Sequence, residues 1–393
     1  MFRAITAVTA LFLWSTFASA AEPQVTLQKE SAGVKVLIGD DVFAVYRFGQ
    51  ERRKPFFYPV TAAGGFDRLK QAVSSDPAEA ESRQVVVVSE KAILTDGKSK
   101  TGEAVPFGTV LSVEKVDGNK VQIAGGNGWL NRSDIVPVAS TVVRLIQDEP
   151  NVNKDRKSPN FYDHPHHKGI WFGVDEINDI KYWMEGSLVV AKSVDIVKAS
   201  GDTAQFKVVN EWLDLENKPV LEEHTLITIS NDRLISYEAT LKAAAENVHI
   251  GDTKEGFFAI RMANTMPERL AGGPVINADG LEGSKAAWGK TSRWLDYVGE
   301  VSGQKYGVTM MDSSNNPWES RYHVRDYGLL SVNPFGAGAY TEKTPDAQPK
   351  HARDLKKGDS IQFQYGLWVH NGVVDKDAIE KEYAKFLKLS DSK

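Results

Sequence analysis

The hydrophobic positions of this chain fall mostly into short runs that alternate with polar residues, the period of a strand with one buried face. "IQFQYGLWVH" (361–370) shows it best, with Ile361, Phe363, Tyr365, Leu367 and Val369 alternating with mostly polar neighbours. "DVFAVYRF" (41–48), "FKVVNEWLDL" (206–215), "HTLITIS" (224–230) and "LISYEATL" (234–241) are likewise short and rich in β-branched and aromatic residues. Turn residues separate such runs at "ENKP" (216–219) and "SND" (230–232). The pattern predicts an all-β fold, a large β-sandwich. One segment departs from it: over 375–389, Ile379, Tyr383, Phe386 and Leu387 form a helical stripe, with Asp377 and Glu380 at capping-box spacing. A C-terminal helix is therefore expected on the outside of the sandwich.

A second pattern is nested in the first. Residues 84–138 carry five short strand-like runs punctuated by "TDGKS", "VDGNK" and "GGNG". "VPFGTVLSVEKVDGNKVQI" followed by "GWLNRSDIVP" resembles the central strands and closing Gly-Trp segment of a bacterial SH3-type barrel. The preceding "AVSSDPAEAESR" (72–83) has the composition of a linker. The SH3-like resemblance implies a cell-wall or peptide ligand for this module, with a rigid spacer as the alternative role.

Composition narrows the class. The chain has 393 residues, 41% hydrophobic and 25% charged, as in an ordinary globular protein. A formal net charge of -5 gives no basic patch for phosphate, so nucleic acid is not an expected partner. The N-terminus reads as a cleaved export signal over 1–20: Arg3, an apolar run from Ala4 to Phe17, then Ala18-Ser19-Ala20. That run is shorter than the roughly 20 residues of a membrane span. There is no cysteine, which removes disulfides, thiolate nucleophiles and sulfur-ligated metals, and fits a periplasmic or secreted protein relying on its core.

The chemistry concentrates in "DHPHHKGIWF" (163–172), where three of the 8 histidines fall within four positions. If 163–168 are extended, as Pro165 encourages for His164, then His164 and His166 share one face and His167 points the other way. One reading is a divalent transition metal held by His164 and His166, completed by Glu255 of "GDTKEGFFAIRMA" or His323 of "WESRYHVRDYG". A second uses the same imidazoles and Glu255 for proton transfer on a sugar. Lys168, Arg261, Arg321 and Arg325 would then hold carboxylate or hydroxyl oxygens, and Trp171, Trp183, Trp294 and Trp318 would offer flat faces. Asn333 heads "NPFGAG" (333–338), a tight turn or a wall of the same pocket. The bland reading is a hydrogen-bonded polar turn. No Gly-x-Ser-x-Gly elbow is present.

"KPFFYPV" (54–60), "DHPHHKGIWFG" (163–173), "EGFFAIRMA" (255–263), "DYVG" (296–299), "WESRYHVRDYGLLSVNPFG" (318–336) and "YGLWVHNG" (365–372) together resemble the PmoA-like family of exported bacterial proteins. The family label speaks of methane oxygenase, yet no segment after the leader is long and apolar enough to cross a bilayer, so methane oxidation is not implied. The resemblance implies a sandwich of the galactose-mutarotase kind acting on carbohydrate, small molecule or glycan, with His166 or His167 as acid and Glu255 as base. In that family "YP" runs on through a short Gly-containing turn into a strand like "TVVRLI" (141–146), so the SH3-like unit reads as a loop insertion. The expected organisation is a sandwich domain over 21–71 and 139–393 interrupted by the module at 84–138. Three functions stay open: an exported carbohydrate-active enzyme of epimerase, lyase or hydrolase type, a non-catalytic carbohydrate- or cell-wall-binding protein, and a His/Glu metal enzyme.

Overall fold

A computed structural model describes residues 22–49, 53–75, 80–98, 101–126, 128–146 and 163–390; the expected export signal lies outside them. The protein is all-β, and two large antiparallel sheets build its sandwich. The first has nine strands in the spatial order Ser200–Gly201, Val25–Lys29, Gly33–Ile38, Asp41–Arg47, Phe56–Val60, Ile170–Phe172, Phe258–Arg261, Leu329–Asn333, Arg321–Val324. The second has eight, in the order Val189–Lys198, Thr203–Leu213, Pro219–Ser230, Leu234–Ala243, Ser360–Asn371, Gln304–Asp312, Trp294–Val301, Val275–Asn277. Aromatic side chains from both inner faces close the core, as in the Tyr46–Phe206 and Phe172–Tyr237 pairs at 5.4 and 5.2 Å.

The alternation in 361–370 is realised, with Phe363, Tyr365, Leu367 and Val369 in the core. Its other face is also covered, because Ser360–Asn371 is a central strand beneath the C-terminal helix Lys376–Ser390. That helix packs Ile379, Tyr383 and Phe386 against Leu234, Trp294 and Met311. Its N-cap differs from the expected Asp377–Glu380 box. Asp375 accepts the Ala378 N–H at 2.8 Å, and Glu380 instead accepts from the Trp294 indole at 2.9 Å.

Residues 84–137 form their own five-stranded sheet, ordered Gly128–Asn131, Lys120–Ile123, Val110–Asp117, Gln84–Val87, Ile135–Pro137. The chain leaves the sandwich after Phe56–Val60 and returns to the same place, since Thr61 bridges Thr141 and Phe57 pairs with Ile170. One expectation needs correction. The stretch read as a linker from residue 72 begins inside a helix, Gly65–Ser74, whose Phe66 and Leu69 belong to the small sheet's core. Their three-residue spacing is helical, and the polar residues beside them concealed it. The small sheet is also fastened directly to the sandwich. Val86, Val88, Val136 and Val138 pack on Leu37, Val42 and Val45 of the sandwich. Glu90 accepts from the backbone N–H groups of Ser31 (3.0 Å) and Ala32 (2.9 Å) and from Arg47 (2.9 Å).

Candidate functional site

The histidine segment is a turn, and an extended reading of it fails. The His167 N–H donates to the His164 carbonyl at 2.9 Å, and His164 adopts a φ of 46°. Pro165, whose fixed φ suits the second position of a turn, favours this closure. His164 and His167 therefore stack, ring centroids 4.7 Å apart, while His166 meets both edge-on. Gly169 ends the turn at φ 52°, where a Cβ would lie 1.9 Å from the Phe57 carbonyl oxygen; only glycine lets this segment join its neighbouring strand.

Arg144 holds the turn from below. Almost wholly buried, it donates to the carbonyls of Asp163 (2.6 Å), His164 (2.8 Å) and His167 (3.1 Å) and to the Asp163 carboxylate (3.2 Å). Arg261 pairs with the same carboxylate and donates to His167 Nδ1 at 3.2 Å. Because arginine can only donate, His167 Nδ1 must accept, and the ring proton sits on Nε2. Burial alone would raise the Asp163 carboxyl, but its hydrogen bond to His164 and the charges of Arg261 and Arg144 hold it well below the usual range. Lys54 is buried beside the turn, donating to the His166 carbonyl at 2.7 Å and sharing Glu185 with Lys168 at 3.4 and 2.6 Å. Burial lowers Lys54 to about 8.

His166 and His167 lie under His164. Burial drops His166 to about 3, with the Lys54 charge adding to it, and drives His167 far down as well. Both rings are neutral and their Nε2 atoms are sealed from solvent, which corrects the expectation that one of them is the exposed acid. The metal reading meets the same geometry. The His164 and His166 rings sit edge to face at 5.6 Å, and His164 Nδ1 lies 3.1 Å from Asp163. Among the described residues no three His, Asp or Glu side chains are placed to hold a metal, so the donor set does not fit.

The exposed part of the site lies between His164 and His323. His164, with 40% of its side chain exposed, stacks on Tyr327 at 5.2 Å, and Tyr327 in turn covers Arg261. His323, on Arg321–Val324, is buried and accepts the Arg325 Nε–H on its Nε2 at 2.9 Å. Its proton is therefore on Nδ1, which faces the Glu255 carboxylate at 3.4 Å, within ion-pair reach though not aligned as a hydrogen bond. Burial and the Arg325 charge lower His323 to about 3. Burial, then the charge of Asp175, raises Glu255 above its ordinary value, with Arg325 and His164 opposing. Glu255 keeps 39% of its side chain exposed. On the Arg325 side of His323 a cleft of about 410 Å³ opens, lined by Ser284, Lys285, Trp288, Val324, Arg325 and Asp326.

His164, Glu255, His323 and Arg325 thus come together, with His166, His167 and Arg261 packed behind them. Five residues assigned to substrate are placed otherwise. Trp183 is 1% exposed, sealed against Trp171 and His167, and offers no free face. Arg261 is consumed by Asp163 and His167. Asn333 spends its amide on the carbonyls of Thr253 (2.9 Å) and Glu255 (3.0 Å), so it positions the Glu255 loop. Trp318 lines a different groove, of about 710 Å³, with Asn315, Gln362 and Glu238. Lys168 is half of a short ion pair with Glu185. Of the other aromatic candidates, Trp171 and Trp294 are buried. The sequence did not single out Arg144, Lys54, Glu185, Trp288 or Tyr327. A lone arginine in the apolar "TVVRLI" is a usable signal for the first; the others carry none.

A family model described as a family of unknown function, DUF6807, matches residues 147–384. The chain belongs to this family. That match takes in every residue of the histidine turn, Glu255, His323 and Arg325, and leaves the inserted module outside it. No curated protein matches this DUF6807 member. Among solved structures it is similar to a β-arabinopyranosidase (10% identity, 71% of this chain and 40% of that one, TM-score 0.30). It is also similar to galactose 1-epimerase from Lactobacillus acidophilus (6%, 90% and 100%, TM-score 0.29). A polysaccharide lyase is a third (9%, 94% and 35%, TM-score 0.25). The chain thus spans well under half of the arabinopyranosidase and of the lyase.

Proposed function

We propose that this protein is an exported, periplasmic carbohydrate-active enzyme that moves a proton on a sugar or glycoside, with Glu255 as the transferring group. The observation that carries the reading is the Arg325–His323–Glu255 chain. A buried neutral imidazole, its tautomer fixed by Arg325, lies with its Nδ1 3.4 Å from a half-exposed carboxylate whose affinity for protons is raised by burial. A carboxyl raised above its ordinary value is a stronger base than a free carboxylate, which is the direction a general base needs. Arg325 adds a fixed positive charge where negative charge would develop. His164 and Tyr327 supply polar groups on the other side of Glu255. The groups around Glu255 are an imidazole, a phenol and the buried Asp175 carboxylate, and the first two are the proton donors that epimerisation or elimination would use.

In this reading the inserted unit is an SH3-like module that fixes the sandwich relative to a cell-wall or peptide ligand, and the chain is a PmoA-like protein without methane chemistry. The test is incubation of the purified protein with a panel of glycosides, sugar acids and 3-keto-glycosides, followed by mass spectrometry. Turnover of at least one class supports an enzyme; binding without turnover across the panel moves the protein to the non-catalytic carbohydrate binders.

A further inference from the structure

We infer that the substrate recognised at this site is a sugar acid, whose carboxylate is held by Arg325 and Lys285. The inference rests on the proton-transfer reading above and adds the substrate class. Arg325 uses only its Nε–H inside the protein, on His323 Nε2. Its two terminal nitrogens have no hydrogen-bond acceptor among the described residues, yet the guanidinium is held in place, centred 5.6 Å over the Trp288 ring. A guanidinium anchored at Nε and on its face presents the remaining N–H fork to the cleft, the geometry that binds a carboxylate through two parallel hydrogen bonds. Lys285, exposed on the same wall, is a second cation, with no ion-pair partner among the described residues. Among the cleft's own lining side chains two are cationic and one, the exposed Asp326, is anionic; the Glu255 carboxylate is the base that the bound sugar has to reach. Its volume of about 410 Å³ is within the range that takes a small ligand, and Trp288 provides an apolar wall for a sugar's C–H face.

The charge also fits the chemistry. In a hexuronate the hydrogen on C5 is next to the carboxyl group, and neutralising that group makes it removable. The Glu255 carboxylate takes the C5 proton, and the electron pair left on carbon passes into the carboxylate held by Arg325. Delivery of a proton to C5 from the opposite face, by His164, Tyr327 or water, gives the epimer, and Glu255 passes the proton it took to solvent. Expulsion of the substituent on C4 with its bonding electrons gives a C4=C5 double bond, the departing oxygen taking its proton from His164, Tyr327 or water. Both routes balance without an oxidant, reductant or cofactor.

The experiment is isothermal titration calorimetry of the full mature chain at low and high salt. The probes are oligosaccharides of glucuronate and of galacturonate, their methyl esters, and the neutral glucose and galactose oligomers; the acids are also incubated and followed by mass spectrometry. At least one acid should bind tenfold or more tightly than its ester and its neutral counterpart, with the preference shrinking at high salt. Lys285→Gln, at an exposed position that tolerates change, should weaken the acid a few-fold and leave the ester unchanged. Arg325→Gln, checked for folding by circular dichroism, should erase the preference. Acid and ester binding equally, only neutral sugars binding, or no probe binding each overturns the inference. If acids bind selectively but neither epimer nor unsaturated product forms, the sugar-acid assignment stands and the proton-transfer reading falls. Turnover of neutral glycosides alone has the reverse meaning.

Discussion

Replacing Arg144 with methionine should destabilise the protein severely, although Arg144 touches neither the cleft nor Glu255. The guanidinium is 2% exposed and satisfies three backbone carbonyls of the histidine turn together with the Asp163 carboxylate. Methionine fills much of the same volume and leaves those oxygens with one partner fewer in a buried place. A buried acceptor left unmet costs about 1–3 kcal/mol, and removing one partner of a buried ion pair about 3–5 kcal/mol. These costs overlap, because Arg261 still holds Asp163, so about 3–5 kcal/mol is the expected total. With an unfolding entropy of about 2.1 cal/mol/K per residue over 393 residues, that loss lowers the melting temperature by about 4–6 °C. Arg144→Lys should recover only part of it, since one ammonium cannot span carbonyls that the forked group reaches from two nitrogens. Differential scanning calorimetry of the three proteins decides. An Arg144→Met protein that melts within a degree of the wild type would refute the claim that this side chain builds the turn.

Three further outcomes follow from the same packing. His166 and His323, both held near about 3 by burial, are neutral in the fold and take up protons on unfolding. The stability they contribute is full above pH 6.5 and is lost as pH falls from there toward 3, so melting temperature should drop across that window and drop less in His166→Gln; equal slopes would count against it. Gly169→Ala should cost about 3 kcal/mol or more in urea unfolding, because the added methyl meets the Phe57 carbonyl and the backbone is left-handed there; a neutral result would show that the turn can shift. Glu90→Ala strands the N–H groups of Ser31 and Ala32 and should make residues 84–137 more open to limited proteolysis than the sandwich, at a cost of about 1–3 kcal/mol; unchanged cleavage would mean that the valine contacts alone hold the module.

The sandwich was legible because strand periodicity survives in the second sheet, where Thr203–Leu213 alternates buried and half-buried positions. The inserted unit was legible because its glycine turns break that rhythm at short, regular intervals. What the pattern hid follows from physics that acts through space. Pro165 by itself favours an extended His164, whereas closure by the His167 N–H and the pull of Arg144 on three carbonyls make a turn. Tryptophans are equally compatible with a sugar platform and with a core, and burial of Trp171, Trp183 and Trp294 went to the core. Glu255 and His323 stand 68 positions apart and meet only because Phe258–Arg261 and Leu329–Asn333 pair, with Arg321–Val324 beside them. Trp288, the side chain that braces Arg325, comes from a connection between strands that had drawn no attention.

The most direct test of the central claim is exchange of solvent deuterium into the sugar, followed by proton NMR in heavy water with whichever sugar binds. The wild type should place deuterium at one ring carbon, or release an unsaturated product. Glu255→Gln should bind the same sugar within a few-fold and slow that exchange at least a hundredfold, in keeping with the about 10²–10⁴-fold contribution of a positioned general base. Exchange at the wild-type rate in Glu255→Gln, or none in the wild type despite tight binding, would contradict the account.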